Sequence, residues 1–383
     1  MGTIYHFRWL GYTDTNPLKH SMPTIDQLLQ ALAAVIDPNT GKDFVTSKAI
    51  KNLALDGSAV RFDLQLAYPA NSQHPEFENA LRTKALALNG VSSVNITSST
   101  RVESHAVQRG VQLLPNVKNI IAVASGKGGV GKSTTAVNLA LALSAEGGSV
   151  GLLDADIYGP SVPMMMGVTG KPESLDGKHM EPLENHGIQV MSIGFLVEPD
   201  QAMIWRGPMA TQALDQLLRQ TNWRDLDYLI IDMPPGTGDI QLTLSQRVPL
   251  TGAVIVTTPQ DIALLDARKG IKMFEKVGVP ILGIVENMAV HICSQCGHVE
   301  HIFGQDGGKK MALEFGMDYL GALPLDMQIR LQADGGTPTV VAEPDGEVAA
   351  LYKAIARKLA VSVAAKAKDF SARFPSITIS KNT

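Results

Sequence analysis

The spacing of apolar residues between positions 23 and 98 predicts a small unit with the element order α-β-β-α-β. Thr24 and Gln27 form a capping box at the start of a helix whose apolar residues recur every three or four positions. After a short strand signal, strict alternation predicts a half-buried strand with these inward residues: Val60, Phe62, Leu64, Leu66 and Tyr68. A second helix opens at Pro75, and residues 91–97 have the pattern of a last strand.

From Ile120 to nearly the end of the chain, strand and helix patterns alternate. The candidate strands are 120–124, 149–153, 188–193, 228–231, 252–256, 281–285 and 319–322. Continuous apolar strands such as YLII and AVIV imply burial on both faces, which is typical of a parallel sheet. We therefore predict an α/β fold with a doubly wound, mostly parallel sheet and a small N-terminal α+β domain. Ligands of such sheets bind at the carboxyl ends of the strands.

The length of 383 residues and the apolar content of 45% predict two domains. We expect an N-terminal arm over residues 1–22, the small domain over 23–98 and the large domain over 118–370. Residues 99–117 are mostly polar and predict a linker, and residues 371–383 predict a C-terminal tail.

Charge and composition exclude several functional classes. The formal net charge is −4 and the basic residues are dispersed, so we expect no nucleic-acid partner. There is no run of about 18 apolar residues and no secretory leader pattern, so we expect no membrane partner and a cytoplasmic location. The cysteines are Cys293 and Cys296 alone, which excludes a disulfide framework and favours a thiol site in a reducing compartment.

The stretch IIAVASGKGGVGKSTTAVN predicts a strand, a phosphate-binding loop and a helix. Gly126, Gly131, Lys132 and Ser133 satisfy GxxxxGK(S/T), in which main-chain N–H groups surround a polyphosphate, the lysine neutralises it and the hydroxyl binds Mg²⁺. The predicted nucleotide-binding residues of this loop are Gly126, Lys127, Gly128, Gly129, Val130, Gly131, Lys132, Ser133 and Thr134.

The additional lysine, Lys127, makes the loop GKGGVGKS, a deviant Walker A motif. This motif resembles that of the ParA/MinD/nitrogenase-iron-protein class of dimeric P-loop ATPases. The resemblance implies that Lys127 reaches the nucleotide of a second copy, and therefore a homodimer. The alternative is a solvated loop lysine.

Two further motifs follow apolar strands. The segment DADIYGPS contains Asp154 and Asp156, and the segment DMPPGTGD begins with Asp232. The same resemblance places Asp156 in switch I near the attacking water, whereas Asp154 is a candidate turn cap. It makes Asp232 a Walker B carboxylate and gives a magnesium set of Ser133, Asp156 and Asp232. The predicted switch II residues are Asp232, Pro235, Gly236 and Asp239.

Hydrolysis of ATP would proceed by in-line attack of water on the γ-phosphoryl group, assisted mainly by charge stabilisation. The candidate catalytic residues are Lys127, Lys132 and Asp156. Asn287 and Pro324 occur where the resembling class contacts adenine, although a buried strand-end asparagine and a turn proline would explain them as well.

The segment HICSQCGHVEHIFG contains Cys293 and Cys296 as a CxxC motif, for which three interpretations remain open. A dithiol redox pair normally stands at the start of a helix, and no helix pattern follows here. A zinc site could recruit His291, His298 or His301, since zinc accepts nitrogen and sulfur ligands. A [4Fe–4S] cluster usually requires four thiolates, which two chains together would supply.

The ordered set KGGVGKS, DADIYGPS, DMPPGTGD, ENM and CxxCGH...IFG resembles the ApbC/Mrp family of iron–sulfur cluster carrier ATPases. The small domain, with its DPNTGKDF turn, resembles the MIP-eighteen type found in metal–sulfur assembly factors, although it contains no cysteine. The resemblance implies an ATP- and Mg²⁺-dependent homodimer with a bridging [4Fe–4S] cluster, which is received from assembly scaffold proteins and passed to apo-proteins. The alternative is a ParA/MinD-like positioning ATPase with a structural zinc in the CxxC motif.

Overall fold

A computed structural model describes residues 22–108, 111–197 and 207–366. The predicted tail over 371–383, and the predicted arm over 1–22 apart from Met22, lie outside the described residues. The chain divides into two compact units. The smaller contains Met1–Leu64 and Pro75–Ser98, and the larger contains Gln65–His74 and Ser99–Thr383.

The small unit has the predicted element order. Its helices and strands are α1 (Ile25–Leu32), β1 (Ile50–Asp56), β2 (Ala59–Leu66), α2 (His74–Leu86) and β3 (Ser93–Thr100). The strands form a separate sheet in the order β1-β2-β3, with β1 and β2 antiparallel. The predicted small α+β domain, with its own sheet and helices, is thus confirmed.

Local chemistry explains the boundaries and core of this unit. The Thr24 main-chain N–H donates to Gln27 Oε1 at 2.8 Å and the Gln27 N–H donates to Thr24 Oγ1 at 3.2 Å, so the capping box is complete. Alternate residues of β2 are buried, as the polar–apolar alternation predicts. The rings of Phe44 and Phe77 pack with centroids 5.2 Å apart.

The large unit alternates strands and helices. Its strands are β4 (Val117–Ala124), β5 (Val150–Asp154), β6 (Leu183–Asn185), β7 (Ile188–Ser192), β8 (Leu226–Asp232), β9 (Gly252–Thr257), β10 (Ile281–Ile292), β11 (Val299–Glu300) and β12 (Tyr319–Pro324). Its helices are α3 (Lys132–Ala145), α4 (Val162–Met165), α5 (Gly207–Gln220), α6 (Asp239–Arg247), α7 (Asp261–Lys276), α8 (Gly307–Phe315), α9 (Met327–Asp334), α10 (Thr339–Ala342) and α11 (Glu347–Ala364).

Over the described residues, these strands form one nine-stranded sheet in the order β11-β10-β9-β4-β8-β5-β7-β6, with β12 beside β10. Seven strands run parallel, and the short strands β6 and β11 pair antiparallel at its margins. Helices α3 and α11 pack against each other in one helical layer, and helices α5 to α8 form a second helical layer. The predicted doubly wound, mostly parallel α/β fold is confirmed.

The strand register brings the predicted acidic residues to one edge of the sheet. Val123 of β4 stands opposite Asp232 of β8, and Asp154 of β5 stands opposite Asp232 on its other side. Because these are carboxyl ends of parallel strands, the phosphate loop after β4 emerges next to both carboxylates.

Several residues of the predicted linker are buried in the larger unit. Val102, His105 and Leu114 are each at most 9% exposed. His105 Nδ1 lies 2.9 Å from Asn119 Oδ1, which belongs to β4. The exact domain boundaries therefore stay a prediction, whereas the packing of this segment on the larger unit is a structural finding.

A buried ion pair joins α3 to α11 at the end opposite the phosphate loop. Arg357 Nη1 lies 2.5 Å from an oxygen of Glu146, whose carboxylate also accepts a hydrogen bond from Ser72 Oγ at 2.7 Å. Helix α11 buries its apolar face against α3 and β12. No helix within the described ranges is both long and apolar enough to cross a membrane.

Candidate functional site

The predicted phosphate loop lies between β4 and α3, with its glycines in conformations that other residues rarely adopt. Gly129 has φ +79° and Gly131 has φ +78°, and Gly131 caps α3. A Cβ atom on Gly131 would come within 2.1 Å of Asn287 Nδ2. Both positions therefore favour glycine for their backbone conformation, and Gly131 also requires it for the close approach of Asn287.

Gly126, the first glycine of the motif, packs against α7. A Cβ atom at this position would lie 2.1 Å from the carbonyl carbon of Asp266. A larger residue would push the loop away from the helix, since helix backbone cannot move aside as a flexible side chain can.

Lys132 and Asp232 form a buried ion pair at the centre of the site. Lys132 Nζ lies 2.5 Å from Asp232 Oδ1 and 3.1 Å from Ser133 Oγ. Lys132 is 6% exposed and Asp232 is fully buried. Burial raises the pKa of Asp232, and the attraction of the Lys132 ammonium opposes that shift. The second carboxylate oxygen, Oδ2, is buried without a hydrogen-bond partner.

Asp154 caps the turn after β5. Its carboxylate accepts hydrogen bonds from the Asp156 N–H at 3.1 Å, the Val162 N–H at 3.2 Å and Ser192 Oγ at 3.1 Å. Burial, followed by repulsion from Asp232, raises the pKa of Asp154. These contacts agree with its interpretation as a turn cap.

Asp156 is half-buried, and the main chain of Gly159 and Tyr158 hydrogen-bonds its carboxylate. Burial raises its pKa, while the charge of Lys132 lowers it and that of Asp232 raises it. Its carboxylate therefore lies within electrostatic reach of the Lys132–Asp232 pair, as required of a residue near the reacting phosphate.

The predicted switch II segment runs beside the phosphate loop. Its main chain is bonded to the strands beside it, since the Asp232 oxygen accepts from Ala155 N–H at 2.9 Å and Met233 N–H donates to the Val123 oxygen at 3.0 Å. Further along, Gly236 N–H donates to the Ser125 oxygen at 3.1 Å. Gly236 has φ +95°, and a Cβ atom there would meet nothing within 4 Å. Asp239 begins α6. The main chain is thus anchored as far as Gly236, and the space beside Gly236 and Gly238 is open.

A cavity of about 400 Å³ separates switch I from switch II. We call it the switch cavity, and its lining includes Asp156, Tyr158, Pro235, Gly238, Asp239 and Gln241. Tyr158 and Gln241 were not indicated by the sequence motifs. Their positions, directly after DADI for Tyr158 and two residues after DMPPGTGD for Gln241, are the only sequence signal that could have identified them.

Lys127 is half-buried, and its main-chain oxygen accepts a hydrogen bond from Ser125 Oγ at 2.8 Å. Among the described residues, no acceptor or acidic group pairs with its ammonium. The ammonium group of Lys127 is therefore available for a further partner, whereas that of Lys132 is already paired with Asp232.

Asn287 contacts the phosphate loop. Its Nδ2 donates to the Val130 main-chain oxygen at 2.9 Å, and both residues are buried. Pro324 ends β12 opposite Val290 of β10 and is half-buried. This hydrogen bond brings Asn287 against the loop. It uses one N–H of Nδ2, so the second N–H and Oδ1 are left for the predicted adenine contact. The adenine contacts of Asn287 and Pro324 both stay predictions.

The CxxC motif forms the turn of a β-hairpin. Strand β10 extends beyond the predicted residue 285 to Ile292, and β11 pairs with its end through His291–Glu300 and Ile292–Val299. The Gly297 N–H donates to the Cys293 oxygen at 2.8 Å and the Cys293 N–H donates to the His298 oxygen at 2.9 Å. This tight turn places both cysteines at the tip of the hairpin.

The turn favours a thiolate at Cys293. Hydrogen bonding from the Gln295 main chain, followed by the main chain and thiol of Cys296, lowers the pKa of Cys293. The thiolate is the form of cysteine that binds metals. Cys293 is half-buried and Cys296 is exposed, and both are free.

The neighbouring histidines contact main-chain oxygens. His291 Nδ1 lies 3.1 Å from the Leu325 oxygen and His301 Nδ1 lies 3.0 Å from the Ala289 oxygen. Within residues 22–108, 111–197 and 207–366, no group of three or more His, Cys, Asp and Glu side chains has the arrangement of a metal site.

Comparisons with known proteins agree with this geometry. Residues 116–360 match the family described as NUBPL iron-transfer P-loop NTPase, and residues 25–97 match the family described as iron-sulfur cluster assembly protein. The iron-sulfur cluster carrier protein of Pseudomonas fragi is 59% identical over 271 residues, which cover 70% of this chain and 94% of that protein. The protein of that name from Escherichia coli K12 is 51% identical over 339 residues, which cover 87% of this chain and 90% of that protein.

A solved structure is also similar. The nucleotide-binding protein of Archaeoglobus fulgidus, in complex with ADP, is 38% identical with a TM-score of 0.53, and the match covers 61% of this chain and 90% of that one. The resemblance that the ordered motifs indicated is confirmed by these matches. The chain belongs to the family of ParA-like NUBPL iron-transfer P-loop NTPases, with relatives that are iron–sulfur cluster carrier proteins.

Proposed function

We propose that this protein is an ATP-hydrolysing carrier that holds a [4Fe–4S] cluster between two copies of the chain and transfers it to apo-proteins. One observation carries the proposal. Strand β10 holds the phosphate loop through Asn287 and leads directly into the CxxC hairpin. A nucleotide and a cluster would therefore act on the same structural element, at Asn287 within β10 and at the hairpin that follows its end.

The cluster is the cargo of this protein. Each chain supplies Cys293 and Cys296 at a hairpin tip, and a [4Fe–4S] cluster usually takes four thiolates. Two hairpins meeting tip to tip supply that number. The lowered pKa of Cys293 supports binding because the ligand must be deprotonated.

Hydrolysis would take place at the carboxyl ends of β4 and β8. A water oxygen bonds to the γ-phosphorus while the bond to the β,γ-bridging oxygen breaks, and ADP leaves with that electron pair. Lys132 and the main-chain N–H groups of the loop stabilise phosphate charge. Lys127 from a second copy would add its cation, which suits a lysine whose ammonium has no partner among the described residues.

Mg²⁺ fits the donor set at this site. Ser133, Asp156 and Asp232 would hold it, and the buried Asp232 Oδ2 is an acceptor that lacks a partner. When bound, the ion neutralises charge on the β- and γ-phosphates. The hydroxyl of Ser133 and the carboxylate of Asp156 provide further oxygen ligands, which Mg²⁺ prefers.

The partners follow from the cargo. Cluster-assembly scaffold proteins would load the hairpins and apo iron–sulfur proteins would receive the cluster. We place the protein in the cytoplasm, because two free thiols at an exposed tip require a reducing compartment.

Anaerobic reconstitution with iron and sulfide tests the proposal. The wild-type chain should become a brown dimer with visible charge-transfer absorption, and Cys293→Ala should stay colourless. His298→Ala is the matched control, because this histidine lies in the same hairpin with 68% of its side chain exposed, and it should keep the colour. A colourless wild type with one zinc per chain would instead support the positioning ATPase with a structural zinc.

A further inference from the structure

Gln241 occupies an unusual environment in the first turn of α6. Its side chain lies on the buried face of the helix with Leu244 and Ser245, and it is 1% exposed. Neither Oε1 nor Nε2 has a hydrogen-bond partner. A buried amide normally pairs both groups, because water no longer satisfies them.

The local helix chemistry offers this amide no partner. A glutamine at the third helical position commonly accepts a hydrogen bond from the capping residue, as Gln27 does from Thr24 in α1 at 2.8 Å. Gln241 holds the same position in α6, where Gly238 is the cap and no such bond forms. The ordinary structural role of this residue type is therefore absent.

Gln241 belongs to the lining of the switch cavity, between switch I and switch II. The cavity is also lined by Asp156 and by Pro235, whose Cβ lies 4.0 Å from a Cβ atom built on Gly128 of the phosphate loop. Asp156 is close enough to Lys132 and Asp232 for their charges to shift its pKa. A hydrogen bond formed here would therefore act beside the γ-phosphate position.

Switch II has open space beside its glycines, where Cβ atoms on Gly236 and Gly238 would meet nothing within 4 Å. The Gly236 N–H already donates to the Ser125 oxygen and the Gly238 oxygen already accepts from the Leu242 N–H. Thr237, which lies between these two bonds, contributes a main-chain N–H and C=O that match both functions of an amide. A shift that pairs them with Gln241 would be favourable, because it ends the burial of two unpaired polar groups.

We propose that Gln241 is a positioning residue for ATP hydrolysis, whose amide pairs with the switch II main chain when that segment closes on the γ-phosphate. Gln241 thus stabilises the conformation that orients the attacking water between switch II and Asp156. The proposal rests on the ATP hydrolysis proposed above. It adds a residue that acts on the reaction through switch II rather than by contact with phosphate.

The test compares two variants of the full-length protein. Gln241→Met keeps the length of the side chain and removes both polar groups. We expect kcat for ATP to fall at least about tenfold with KM within about twofold of wild type. The melting temperature without nucleotide should stay equal or rise by about 2 °C, since the variant buries no unpaired amide.

Gln27→Met is the matched control at the same helix position. It should lower the melting temperature, because a complete capping box is lost, and should leave kcat unchanged. Gln241→Asn, which keeps a shortened amide, should fall between wild type and Gln241→Met in kcat.

The outcomes separate this inference from the proposed function. A wild-type protein that hydrolyses no ATP contradicts the proposed function itself. An active wild type with an equal kcat in Gln241→Met overturns only the role of Gln241. Failure of both Gln241 variants to fold also overturns it, because the amide would then be a structural requirement.

Discussion

Asn287 Nδ2 donates a hydrogen bond to the Val130 main-chain oxygen at 2.9 Å, and both residues are buried. Val130 belongs to the phosphate loop, and Asn287 belongs to the strand that leads to Cys293. This bond joins the two candidate sites, one for nucleotide and one for the cluster, through the protein's own main chain.

Asn287→Ala should lower the free energy of unfolding by about 1–3 kcal/mol, because it leaves the buried Val130 oxygen without a donor. It should also weaken ATP binding, since the loop loses its tether. Urea denaturation and nucleotide titration measure the two effects.

Asn119→Ala is the control, because this buried asparagine also holds main chain, donating to the Glu103 oxygen at 3.0 Å and to the Asp227 oxygen at 3.2 Å. It should lose comparable stability with unchanged ATP affinity. Equal weakening of ATP binding in both variants would contradict a specific role of Asn287.

The two lysines of the loop should behave differently. Lys132→Ala should abolish nucleotide binding and destabilise the protein by about 3–5 kcal/mol, because the buried Asp232 loses its partner. Lys127→Ala should retain ATP affinity and slow hydrolysis at least about tenfold, since its cation serves a second copy. Equilibrium binding and steady-state hydrolysis distinguish the variants, and equal loss of binding in both would contradict the role in trans.

The Glu146–Arg357 pair should contribute strongly to stability. Arg357→Leu should lower the free energy of unfolding by about 3–5 kcal/mol, because it leaves the carboxylate of Glu146 buried without a cationic partner and with hydrogen bonds from Ser72 alone. The double variant Glu146→Leu with Arg357→Leu should recover part of that loss. Arg330→Leu breaks an exposed pair with Asp334 and should change stability by less than about 1 kcal/mol, as chemical denaturation would show.

Glu286 should make a contribution to the free energy of unfolding that decreases as the pH rises. Its buried carboxylate accepts hydrogen bonds from the Gly308 and Lys309 N–H groups, yet burial outweighs them and raises its pKa above the ordinary value of 4.5. The folded state therefore holds the proton more tightly than the unfolded state. The free energy of unfolding should fall as pH rises from 4.5 through the folded pKa.

Glu286→Gln should remove this component, which unfolding titrations at several pH values would reveal. Glu314→Gln is a control of opposite sign. Hydrogen bonding from Arg268 lowers the pKa of Glu314, so its contribution is present at neutral pH and is lost as pH falls through the folded pKa. Identical pH profiles for wild type and Glu286→Gln would contradict the assignment.

The sequence alone predicted the parallel sheet, because its strands are continuous apolar runs that end at recognisable motifs. It also predicted the Thr24–Gln27 capping box, whose two hydrogen bonds lie within one turn of chain. Features determined by residues close in sequence could thus be predicted from the sequence.

Features that depend on contacts between residues distant in sequence could not be predicted from the sequence. The extension of β10 to Ile292 depends on pairing with β11, a strand too short to have a pattern of its own. Burial of His105 in the predicted linker depends on Asn119 in β4. The environment of Gln241 was equally hidden, since DIQLTL has the pattern of an ordinary amphipathic helix.

Gly126, the first glycine of the phosphate-binding motif, packs directly against the main chain of α7. Only a hydrogen atom fits the space facing the Asp266 carbonyl carbon, so steric exclusion alone is enough to require glycine at this position. The first glycine of the nucleotide-binding motif is therefore required by the packing of the loop against its neighbouring helix, and this requirement holds in the absence of phosphate.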